Sequence, residues 1–116
     1  MDALLIIDDV APLRAIQARL VRRAALAVGE VLTAGSLREA RAVLAERTDV
    51  GVVLADHALG DGRGAELLSD AGLPPLVLVG GGAPPAGALA GLPKPYTAAA
   101  LRAALEPLRA PARAHR

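Results

Sequence analysis

The chain has 116 residues, room for one domain and little more, and an apolar content of 53% that excludes a disordered chain. Thirteen basic residues against twelve acidic ones leave a net charge of +1, so no one-signed field marks it as a binder of nucleic acid or membrane. The absence of Cys excludes disulfides, thiolate metal sites and thiol nucleophiles, as expected of a cytoplasmic protein, and a core without Phe or Trp must be built from Leu, Val, Ile and Ala.

Leu4 to Ile7 is an unbroken apolar run, the pattern of a strand buried on both faces of a parallel sheet. Ala3 to Ile7 is far too short for a membrane span or a signal peptide. Pro12 through Val28 carries Leu13, Ile16, Leu20, Ala24 and Ala27 at helical spacing, and Gly29 is expected to stop this helix. Its arginines Arg19, Arg22 and Arg23 read as a solvated face, like the later cluster Arg109, Arg113 and Arg116. A second strand spans Glu30 to Thr33. Ser36 with Glu39 forms a capping box that opens a helix through Glu46, with Leu37, Ala40 and Leu44 on one face.

Val50 to Ala55 is a third, nearly all-apolar strand, followed by a glycine-rich loop from His57 to Gly64 and a short helix from Ala65 to Asp70. Leu76 to Val79 is a fourth strand. Gly80-Gly81-Gly82 and Pro84-Pro85 then forbid regular structure before a fifth strand near Leu89 to Leu92. Thr97 caps a last helix from Ala98 to Leu108, which Pro107 is expected to end or kink. Residues 1–110 read as one domain and 111–116 as a tail.

Strands that alternate with helices imply right-handed crossovers and a parallel sheet covered on both faces. The expected class is α/β: a flavodoxin-like, doubly wound five-stranded parallel sheet in order 2-1-3-4-5. Ligands of such sheets bind beyond the carboxyl ends of the strands where the winding reverses, here between strands one and three. Asp8 and Asp9 directly follow the first of these, and Asp56 directly follows the other; Lys94 comes just after strand five. Each has a plain structural use alone, as a helix cap, a turn former or a surface charge. Together they form a crevice of mutually repelling carboxylates that a divalent cation relieves, and oxygen ligands favour Mg²⁺. A carboxylate held between such a cation and a lysine can attack a phosphoryl group and form an acyl phosphate.

These same segments resemble the response-regulator receiver domains. Leu5-Ile6-Ile7-Asp8-Asp9-Val10-Ala11-Pro12-Leu13-Arg14 looks like the family's first strand, acidic pair and first helix start. Val52 through Gly64 looks like its phosphoacceptor strand and loop, and Leu92-Pro93-Lys94-Pro95-Tyr96 resembles its lysine–proline turn. The resemblance covers residues 3 to 108. It implies a Mg²⁺-dependent phosphorelay receiver domain over residues 1–110, phosphorylated on Asp56 by a histidine kinase or phosphotransfer protein. It also implies that Asp9 ligates the metal directly, that Asp8 assists through water, that Ala58 lends its backbone carbonyl, and that Lys94 contacts the phosphoryl oxygens. Pro95 would follow a cis peptide bond that aims Lys94 into the site.

The chain departs from this family at three places. Gly80 stands where most receivers have a Thr or Ser, and Gly91 where they have a Tyr or Phe. Only eight residues separate Gly80 from Leu89, so the fourth helix is short or absent. The alternative reading is therefore a degenerate receiver, a phosphorylation-independent interaction or dimerisation module such as a homodimer. A phosphohydrolase ranks last, because Ala58 occupies the place where a second carboxylate would serve as acid and base. Enzymatic activity is at most self-phosphorylation and autodephosphorylation. Of the histidines, His57 is expected to point away from Asp56 across the strand end, and His115 to be inert. The triple glycine offers backbone amides that could cradle phosphate.

Overall fold

The computed structural model describes residues 1–24 and 26–109. The expected tail, with Arg113, His115 and Arg116, lies outside the described residues. In chain order the elements are β1 (Ala3–Ile7), α1 (Ala11–Arg23), β2 (Glu30–Ala34), α2 (Leu37–Glu46) and β3 (Val50–Asp56). A two-stranded hairpin of β4 (Ala58–Leu59) and β5 (Gly62–Arg63) leads into a 3₁₀ helix (Gly64–Ser69), followed by β6 (Leu76–Val79), β7 (Ala90–Leu92) and α3 (Ala98–Arg109).

Five strands form one parallel sheet in order β2-β1-β3-β6-β7. Counted within that sheet alone, this is the expected 2-1-3-4-5. All five residues of β1 are buried because both faces of the strand are covered. Leu5, Ile7, Val53 and Leu78 pack with Leu37 and Ala40 of α2 and with Leu67 of the 3₁₀ helix. Leu4, Ile6, Leu54 and Val77 pack on the other face with Val21 of α1 and with Leu101 and Leu105 of α3. Alternation along a strand sends successive side chains to opposite faces, so a continuous apolar run feeds two cores at once.

The caps act as the sequence suggests. Ser36 Oγ accepts from the Glu39 backbone N–H at 3.0 Å, and Thr97 Oγ1 accepts from the Ala100 N–H at 3.1 Å. Asp61 adds a long-range cap, its two carboxylate oxygens accepting from the Leu37 and Arg38 N–H groups. Those backbone hydrogen bonds hold the Asp61 carboxyl below the usual carboxylate range.

Several expectations are corrected. Helix α1 ends at Arg23 rather than Val28, because the following segment is claimed by the chain's first residues: Gly29 and Glu30 donate to Met1 O and Asp2 O. Gly29 is needed for that approach, since a Cβ there would lie 2.8 Å from Asp2 O. The face of α1 is also different. Its buried residues are Gln17, Ala18 and Val21, whereas Leu13 and Ile16 are exposed. The short helix after β5 is a 3₁₀ helix over Gly64–Ser69, and α3 runs through Pro107 to Arg109, with the proline in its last turn. Between Val79 and Ala90 there is no helix. Gly80, Gly81 and Gly82 there adopt φ of +80°, +79° and +79°, a left-handed run that glycine alone tolerates cheaply.

The two-sided core predicts a contrast in urea unfolding. Leu5→Ala and Ile6→Ala should each destabilise by about 2–5 kcal/mol, while Leu13→Ala on the exposed face of α1 should cost less than about 1 kcal/mol. A loss from Leu13→Ala equal to the other two would contradict the burial pattern of α1.

Candidate functional site

The carboxyl ends of β1 and β3 are neighbours in the sheet, with Ile7 in register with Ala55, so Asp8, Asp9 and Asp56 must emerge side by side. One ligand oxygen from each of these three residues lies within 4.8 Å of the others. Asp8 is fully buried, Asp56 nearly so, and Asp9 is exposed. The sequence-predicted acids are therefore brought together at the point where the winding reverses.

Lys94 reaches the same place from the turn after β7. Its Nζ lies 2.8 Å from Asp56 Oδ2 and 3.2 Å from Asp8 Oδ2. The Lys94–Pro95 peptide is cis, as expected. Burial works against the charged ammonium, but the hydrogen bonds and charges of Asp56 and Asp8 outweigh it, so Lys94 holds its proton more tightly than an ordinary lysine. Ala58 opens the β4–β5 hairpin two residues beyond Asp56. The turn of that hairpin comes close to the acids, since a Cβ at Gly60 would lie 3.6 Å from Asp9 Oδ2.

The sequence reading missed the groups that hold Asp8. Its Oδ1 accepts from the Val10 N–H at 2.9 Å, and its Oδ2 accepts from Gln17 Nε2 at 2.7 Å. Gln17 Oε1 in turn accepts from the Tyr96 hydroxyl at 3.0 Å. Burial, and secondarily the Asp8 charge, push the Tyr96 phenol upward, so it stays a donor. Arg14 donates to the Asp8 backbone carbonyl at 2.8 Å. The available signal was Gln17 itself, a polar residue one step from Ile16 in the stripe assigned to the core.

His57 is corrected. Rather than pointing away, its Nδ1 lies 3.3 Å from Asp56 Oδ1, the oxygen that Lys94 does not use. The ring rests on the glycine run: a Cβ added to Gly80 or Gly81 would come within 2.9 Å or 2.7 Å of it. A separate hollow of about 670 Å³ at the opposite end of the strands, beside Val50 and Pro74, offers no comparable chemistry. Its charged residues Arg41 and Asp70 are paired with each other, and Arg47 is paired with Asp49 and Glu30.

No family model matches the chain, and no curated protein matches it. Solved structures do. A response regulator receiver domain protein from Clostridium thermocellum superposes with a TM-score of 0.77 at 23% identity, covering 92% of this chain and 93% of that one. The receiver domain of the hybrid histidine kinase CckA gives 0.73 at 25% identity, with 90% and 96% covered. The chemotaxis response regulator CheY4 of Vibrio cholerae gives 0.74 at 23% identity, with 93% and 98% covered. The molecule thus has the fold of the CheY-like response regulator receiver domains.

Proposed function

We propose that the chain is a phosphorelay receiver in which Asp56 takes a phosphoryl group from a phosphohistidine on a histidine kinase or phosphotransfer protein. The observation that carries this reading is the setting of Asp56: a nearly buried carboxylate with a lysine at 2.8 Å and two further carboxylates alongside. An Asp56 oxygen attacks phosphorus as the donor's P–N bond breaks. The electron pair leaves with the imidazole, which ends protonated by solvent, and an acyl phosphate remains on Asp56. Hydrolysis reverses the modification, with water attacking phosphorus and the carboxylate leaving with its electron pair. The transition state is loose, so holding the acceptor and neutralising charge supply most of the rate. Lys94 does both, since it fixes one Asp56 oxygen and stays an ammonium.

The donor set fits Mg²⁺, three carboxylates in one crevice having only one ammonium for balance. Asp9, Asp56 and the backbone carbonyl of Ala58 would hold it. Asp8, whose oxygens already serve Val10, Gln17 and Lys94, would act through water. When bound, the ion supplies further neutralisation of the phosphoryl charge. The kinship of fold with a receiver from a hybrid histidine kinase supports the class of donor. So do the exposed apolar residues Val10, Leu13 and Ile16, which give a protein partner a place to settle beside the acids.

A phosphorylation-independent interaction module is the second reading. It is favoured by the missing helix between β6 and β7 and by Gly80, which offers no hydroxyl beside Asp56. On the first reading enzymatic activity is at most the chain's own phosphorylation and dephosphorylation, and on the second there is none to assign.

Intact mass spectrometry after incubation with acetyl phosphate and Mg²⁺ separates the two readings. The unmodified chain should gain one phosphoryl group and Asp56→Asn none, with the fold of Asp56→Asn retained. Equal labelling of both chains would displace Asp56 as acceptor, and no labelling of either would favour the interaction module.

Thermal melts with and without Mg²⁺ test the acids. Asp9→Ala should abolish most of the metal-induced rise while costing the apo fold no more than about 0.5 kcal/mol. Asp8→Ala should keep part of the rise yet lose about 1–3 kcal/mol of apo stability, because it leaves buried donors unpaired. A larger loss of the metal response from Asp8→Ala would reverse the two roles.

A further inference from the structure

We infer that His57 is the second side chain, besides Lys94, that contacts a phosphoryl group on Asp56, donating from Nδ1 to one of its oxygens; this rests on the receiver reading above. A phosphoryl group carries three acceptor oxygens, and in a partly closed site each calls for a donor or a cation. Lys94 Nζ stands at Asp56 Oδ2. On the Oδ1 side residue 80 is glycine and brings no side-chain donor, while His57 Nδ1 lies 3.3 Å from that oxygen.

The backbone around His57 makes this placement specific. Its N–H donates to Val79 O at 3.0 Å and its carbonyl accepts from the Gly64 N–H at 3.2 Å, so the main chain is pinned on both sides. The ring is then placed by its own torsions and by what it rests on. That seat is Gly80–Gly81: any larger residue there would drive a Cβ into the imidazole, at 2.9 Å from Nδ1 or 2.7 Å from Cγ. Their positive φ angles turn the chain under the ring. The glycine run, which interrupts regular structure in the sequence, is also the surface that keeps His57 facing the acceptor. The side chain is 51% exposed, so the ring has room to shift over a group added to Asp56 without repacking the core.

Two substitutions separate donor from bulk. His57→Phe keeps a ring over Gly80–Gly81 and removes the donor; His57→Asn drops the ring but places an amide N–H close to where Nδ1 stood. Beryllofluoride with Mg²⁺, a mimic of the phosphoryl group, would be titrated into each protein and followed by ¹⁹F and amide NMR. His57→Phe should bind it roughly three- to tenfold more weakly than the unmodified chain, the effect of one partly exposed charge-assisted hydrogen bond, and His57→Asn within about twofold. Melting curves without beryllofluoride should coincide for all three proteins, which separates loss of contact from loss of fold. In the unmodified chain the His57 ring ¹⁵N resonances should move on saturation. Equal affinities for His57→Phe and the unmodified chain, or equal weakening by Phe and Asn, would overturn the inference while leaving Asp56 labelling, and thus the receiver reading, intact. An unmodified chain that neither labels nor binds beryllofluoride would overturn both.

Discussion

A single ammonium shared between two carboxylates organises one end of this molecule. Lys94 joins residue 94 to residues 8 and 56, at 3.2 and 2.8 Å, and so ties the turn after β7 to the ends of β1 and β3. Two carboxylates sheltered from water would repel each other strongly without it, and one partner removed from such a group leaves an uncompensated charge. The same arrangement that satisfies the charges leaves Asp56 with one oxygen engaged and the other turned toward His57. Asp56 is thereby fixed in place without being fully occupied.

Around that point the site has a rigid side and a looser one. On the rigid side, Asp8 is held by the Val10 amide, Gln17 and Lys94, and Gln17 is held by Tyr96, a continuous polar chain set into the apolar layer between α1 and the sheet. Every member of that chain has its partner, which is the condition under which a buried polar network stiffens a core rather than weakening it. On the looser side are half-exposed His57 and three consecutive left-handed glycines, with exposed Ala83 to Ala86 beyond them. Any response to a group on Asp56 has its easiest path there, because a ligand shifts an equilibrium only through contacts that differ between the states.

The missing helix changes the surface as well as the site. Gly91 in β7 has the ring of Pro84 against the place its Cβ would take, at 3.1 Å, so the loop that stands in for a helix folds back over the strand. The apolar residues Leu13 and Ile16, displaced from the core by Gln17, Ala18 and Val21, sit on the outside of α1. A face with large aliphatic side chains beside an acidic crevice suits a protein partner better than bulk water does.

Much of this was legible in the order of the residues. The apolar runs of β1, β3 and β6, each followed by a helix or a turn, determine a parallel sheet covered on both sides, and the carboxylates set directly after β1 and at the last residue of β3 then have to meet at the carboxyl end of the sheet. Ser36 and Thr97 marked their helix starts because capping is local, satisfied within three residues. The rest depended on groups distant in sequence. Whether Leu13 or Gln17 faces the sheet was decided by Asp8 and Tyr96, which offer Gln17 two hydrogen bonds in a buried place. Where α1 ends was decided by Met1 and Asp2, whose carbonyls take the amides of Gly29 and Glu30. The direction of His57 was decided by glycines more than twenty residues away, because a strand's alternation determines the side on which a residue leaves the sheet only while the strand lasts, and His57 stands just beyond its end.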